Sequence, residues 1–98
     1  MAFGIRREEL NQWKQRIENG EIAIITHYWD DARFPESTSV TKVGCKNVAQ
    51  LIAWGKQYAL KAEWIDYSHC PHFDVFGSKQ KEILLKEGFH DQIKRFNL

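Results

Sequence analysis

The stretch Ile22, Ala23, Ile24, Ile25, Thr26 is short, mostly β-branched and free of charge. Such a run reads as a strand covered on both faces, because a half-solvated strand would alternate apolar with polar residues. The chain continues with His27, Tyr28, Trp29, Asp30 and Asp31. Rings with polar tips and paired carboxylates therefore stand where this strand emerges. In open α/β sheets ligands gather at strand ends. The run marks an inner strand and, beside it, a place for a site.

A length of 98 residues suits one core, and residues 1–98 are read as a single domain. Hydrophobic residues at 43% and charged residues at 28% are ordinary for a soluble globular chain, so no metal or disulfide is needed to hold it together. A formal net charge of +1 argues against a protein built to coat DNA or an anionic membrane, while leaving room for a local basic patch. Cys45 and Cys70 form at most one bridge, and a free pair in a reducing compartment is the simpler reading. The N-terminus meets Arg6, Arg7, Glu8 and Glu9 at once and does not read as a signal peptide. No apolar run approaches the ~20 residues of a membrane span. The expected location is cytoplasmic, with no membrane partner.

Leu10, Trp13 and Ile17 recur at helical spacing, which predicts a helix over 5–19 stopped by Gly20 in a left-handed turn. Its narrow stripe suits a helix lying on a sheet, or equally an arm that touches a second copy. The first strand is placed at 22–28. Residues 31–39, rich in Asp, Pro and Ser, read as a loop that is long for a compact domain. A shorter strand is expected at 40–45, with Gly44 marking a close backbone approach or a strand end. The strongest helical pattern is 47–60, opened by Asn47 with Gln50 three residues on in the manner of a capping box. Gly55 inside it suits close packing on the sheet. Residues 62–67 read as a third strand or an extended turn. Ser78 is placed as N-cap of a helix over 79–87 that Gly88 ends. Residues 89–98 fit a last strand or a short helix. The whole reads as an α/β fold: a small two-layer sandwich of helices on a sheet of three to four strands, with an extra N-terminal helix.

From Trp29 onward the order of features resembles a small bacterial and phage family, domain of unknown function 4031. The residues that carry the likeness are Asp30-Asp31, Leu51-Ile52-Ala53-Trp54 through Leu60, Trp64, His72-Phe73-Asp74, and Ile83 through Gly88. Together they span residues 29–89, and the N-terminal helix has no counterpart. The resemblance implies a topology and singles out the acidic pair and the His-Phe-Asp step. It implies no reaction.

Asp30, Asp31, His72 and Asp74 are the candidate catalytic and metal-ligating set. Carboxylates suit Mg²⁺ or Mn²⁺, and one imidazole tilts a site toward a transition metal such as Zn²⁺. An ion there would activate a bound water for hydrolysis. The structural alternative is a turn capped by Asp30, an Asp31–Arg33 pair and a His72–Asp74 hydrogen bond. The whole reading requires the acidic pair and the His-Phe-Asp step to meet at one rim of the sheet. Zinc held by His69, Cys70, His72 and Cys45 has poor spacing, and nothing marks Cys70 as an activated nucleophile. Of the four tryptophans, Trp54 and Trp64 read as core. Tyr28, Trp29, Arg33 and Phe34 are the candidate binding platform, able to stack a base or sugar, with core packing as the alternative. The basic residues from Lys79 to Arg95 are interleaved with acids and read as a solvated face.

The expected function is a small binding or interaction module, phage-related, that engages a protein, a nucleic acid or a second copy of itself. The alternative is a metal-dependent hydrolase of nucleotides or nucleic acid acting through Asp30, Asp31, His72 and Asp74. The module is favoured because no glycine-rich phosphate loop, zinc-protease helix or nucleophile elbow is present.

Overall fold

The computed structural model describes residues 4–30, 32–33 and 35–98. It is a mixed α/β fold. Strands β1 (Ala23–Tyr28), β2 (Ser39–Gly44) and β3 (His72–Val75) form an antiparallel sheet in the order β1-β2-β3. Helices α1 (Arg7–Glu18), α2 (Val48–Lys56), α3 (Ser78–Glu87) and α4 (His90–Arg95) surround it. No helix among the described residues is long and apolar enough to cross a membrane.

In register, Ile24 lies beside Val43 and Val43 beside Phe73, so their side chains share one face. That face is buried with Leu51 and Trp54 of α2 and Ile83 and Leu84 of α3. The neighbouring residues Ala23 and Ile25 point the other way, onto Trp13 and Ile17 of α1. The uninterrupted apolar run therefore has helix on both sides, as its composition requires. α1 lies on the sheet: the Trp13 indole N–H donates to the Ala23 carbonyl at 2.9 Å. Two glycines inside the strands and helices come very close to their neighbours. A Cβ at Gly44 would stand 2.6 Å from Ile17 Cδ1, and one at Gly55 would stand 2.9 Å from the Phe73 ring. Gly20 and Gly88 end α1 and α3 with φ of 80° and 82°, as expected.

A polar chain runs through the packed face. The Ser39 and Thr41 hydroxyls both donate to Gln80 Oε1, at 3.1 and 3.0 Å. With the Thr41 proton so committed, Thr26 must be the donor in the 2.8 Å Thr26–Thr41 bond. The Gln80 amide donates in turn to Ser37 Oγ at 3.3 Å. Every one of these groups is buried and satisfied, so α3 sits on the sheet in one register.

Of the two readings left open for residues 62–67, the structure takes the turn: Ala62–Trp64 is a 3₁₀ turn, and one bridge, Asp66 to His72, follows it. The third strand is instead His72–Val75, where Phe73 and Val75 alternate with Asp74. Gly77, not Ser78, caps α3, with φ of 65° and its N–H donating to Ser37 Oγ at 3.2 Å. Trp64 is 54% exposed and therefore not core, whereas Trp54 is buried. Of the two readings left open for residues 89–98, the structure takes the helix, α4.

Candidate metal centre

α1 has a narrow apolar stripe, so it covers only part of its face of the sheet. It packs on Ala23 and Ile25 of β1. The β2–β3 side of the same face carries Lys42, Asp74 and His72, with Lys42 the register partner of Asp74. Lys42 Nζ lies 3.7 Å from Asp74 Oδ1. Asp66 arrives from the loop ahead of β3. Its backbone pairs with that of His72, Asp66 N–H to His72 O at 2.8 Å and His72 N–H to Asp66 O at 2.9 Å.

The three side chains then converge. His72 Nε2 is 3.5 Å from Asp74 Oδ1 and 3.9 Å from Asp66 Oδ2, and one ligand atom from each residue lies within 4.8 Å of the others. His72 is nearly enclosed, with its side chain 6% exposed. Its Nδ1 is 2.7 Å from the Cys70 carbonyl, which can only accept. The ring proton of the neutral form therefore sits on Nδ1, and Nε2 turns a lone pair toward both carboxylates. Asp66 is held in place as well: its Oδ1 accepts from the Ser68 N–H at 2.8 Å and from the Ser68 hydroxyl.

Electrostatics follow from these contacts. Burial opposes a charged His72, but the Asp74 carboxylate and the Cys70 carbonyl outweigh it and its pKa is raised. Burial also works against the Asp74 carboxylate, yet His72 and Lys42 hold its pKa below the ordinary value. Asp66 is lowered chiefly by its bonds to Ser68. His27, on the same face, is pushed the opposite way by burial. Burial raises the Cys70 thiol, so it is no ready nucleophile. Both cysteines are free, and the Cys45 thiol donates to the Gly20 carbonyl at 3.6 Å rather than joining a ligand set.

The expected meeting of Asp30 with His72 does not occur. Tyr28 pairs with Ser39, whereas His72 pairs with Gly44 at the far end of β2. At about 3.3 Å per residue, the five steps between them cover about 16 Å before Asp30 is reached. Asp30 instead lines an open hollow of about 410 Å³ with Tyr28, Trp29 and Thr38. Asp31 and Phe34 lie outside the described residues, and Arg33 is exposed on the turn between β1 and β2. Tyr28 and Trp29 are 42% and 43% exposed, but each also packs. The Tyr28 ring meets Phe96 edge-on at 4.8 Å, and the Trp29 ring meets His27 at 6.1 Å. Structure thus unites His72 with Asp74 and adds Asp66. The signal for Asp66 was its place in an Asp-x-Ser turn six residues ahead of His72, legible only once that turn folds back on β3.

An uncharacterized protein of Bacillus subtilis (strain 168), YneQ, is 54% identical to this chain over 99 aligned positions, covering 100% of each. The chain belongs to the YneQ family. No family model matches it, and no solved structure does. For this member of the YneQ family, the Asp66–His72–Asp74 cluster is the arrangement among the described residues suited to holding a metal ion.

Proposed function

We propose that this YneQ-family chain is a divalent-metal-binding domain in which Asp66, His72 and Asp74 hold the ion and leave further coordination positions to an external ligand. The observation that carries it is the aim of the buried His72 ring. Its Nδ1 is committed to a backbone carbonyl, the arrangement that orients a metal-ligating histidine through Nε2. Nε2 stands 3.5 and 3.9 Å from the carboxylates, longer than the about 2.7–3.2 Å of a well-made N–H···O bond. Bonds of about 2.0–2.1 Å to one tetrahedral ion put ligand atoms about 3.4 Å apart. The spacing fits an ion between the groups better than a direct bond. Two carboxylates and one imidazole favour Mn²⁺ or Zn²⁺ over Mg²⁺. An ion so held supplies Lewis acidity and activates water, the chemistry of metal-assisted hydrolysis.

Calorimetric titration with Mn²⁺ and Zn²⁺ tests this, with Mn²⁺ broadening of the His72 ring signals as a second measure. Sub-millimolar binding is expected, weakened at least about tenfold in Asp66→Asn and in Asp74→Asn and unchanged in Asp30→Asn. No binding of either ion removes the reading.

The aromatic hollow supports a second reading, an interaction surface. Tyr28, Trp29 and Asp30 present two half-exposed rings beside a carboxylate, a combination suited to a protein partner or a stacked base. Light scattering and pull-down with Trp29→Ala as control test it. A lone monomer that captures nothing counts against it.

A further inference from the structure

We infer that the ligand completing the metal centre is a phosphate group, held between the ion and Lys42. This deepens the metal-binding reading and rests on it. Lys42 is the register neighbour of Asp74, and among the described residues Asp74 is the carboxylate within ion-pair distance of it, Nζ to Oδ1 3.7 Å. That oxygen is also the one 3.5 Å from His72 Nε2. An ion bound there takes over the oxygen that Lys42 faces.

The local charge then changes sign. Two carboxylates, a neutral imidazole and one ammonium sum to −1, and a divalent ion brings the total to +1. A strand-borne ammonium left beside a metal cation is a two-point anchor for a compact tetrahedral anion. The Lys42 side chain is 32% exposed, so its Nζ can be reached from solvent. The stretch that delivers Asp66 also carries Trp64 and Tyr67, 54% and 62% exposed. Lys61 Nζ stands 5.6 Å over the Trp64 ring. Exposed rings and a second cation on that stretch suit an ester whose other end is a flat ring. Inorganic phosphate and an aromatic phosphate monoester share the anchoring chemistry, and the two are separable by experiment.

The test uses the full chain loaded with Mn²⁺, titrated with inorganic phosphate and with adenosine monophosphate. Both are expected to bind the loaded protein and not the metal-free one. Lys42→Gln should weaken this at least about tenfold, the worth of one hydrogen bond to a charged group. Its Mn²⁺ affinity should be equal or higher, and Lys42→Arg should keep phosphate binding. Tighter binding of the monophosphate with quenching of Trp64, lost in Trp64→Leu, identifies the ester, and equal affinities identify free phosphate. Phosphate binding that ignores Lys42→Gln, or that needs no metal, overturns the inference and leaves the metal centre standing. Absence of Mn²⁺ binding removes both.

Discussion

Asp66 and His72 face each other through two backbone hydrogen bonds of 2.8 and 2.9 Å, which close the 67–71 loop. Inside that loop His69 takes φ of 66°, a left-handed conformation costly for a residue with a Cβ. Cys70 offers its carbonyl to the His72 ring. The backbone pairing thus sets both the tautomer of His72 and the distance of Asp66 from it. Two residues six apart in sequence become one electrostatic unit with Asp74.

Metal-free, that unit makes stability depend on pH in two directions. The folded pKa of His72 is raised, so its contribution is complete below the ordinary histidine value of about 6.5 and is lost as pH rises through the folded value. Asp66 and Asp74 are lowered, so theirs is present above the ordinary carboxylate value of about 4 and is lost as pH falls through the folded values. The melting temperature of the wild type relative to His72→Gln, measured in chelator, should therefore differ most between about pH 5 and 6. The gap should narrow above about pH 7. A gap that grows toward alkaline pH contradicts the assignment.

The polar chain on the packed face predicts an asymmetry between its members. Gln80→Leu removes the acceptor of two buried hydroxyls, Ser39 and Thr41, and should cost about 2–4 kcal/mol. Thr26→Val removes only the last donor in the chain and should cost about 1 kcal/mol or less. Urea denaturation of both variants reads the difference directly. Equal costs would mean that Gln80 does not organise the chain.

Gly55 should resist replacement although it lies in a helix. Alanine there gains up to about 1 kcal/mol in helix propensity. Its Cβ would meet the Phe73 ring at 2.9 Å, and that ring is 1% exposed within the packed core. Overpacking of about 1–3 kcal/mol wins, so Gly55→Ala lowers the denaturation midpoint. A midpoint at or above the wild type would show that α2 can move off the sheet.

Local patterning was enough for much of the architecture. The Ile22–Thr26 run, the stripe of Trp13 and Ile17, and the helical period through Leu51 and Trp54 each depend on neighbours along the chain. The same holds for the stops at Gly20 and Gly88. All of these stand in the structure. What residues 62–76 would do was decided only in three dimensions. Trp64 and Ile65 have strand character, yet β2 pairs with Phe73 and Val75, because those side chains fill the space between α2 and α3. That choice of partner carried His72 to the end of the sheet away from Asp30 and brought Asp66 across to it and to Asp74. Periodicity encodes which face a residue takes. Which end of a strand it reaches, and what it meets there, depends on antiparallel register, and register is settled by contacts between residues far apart in the chain.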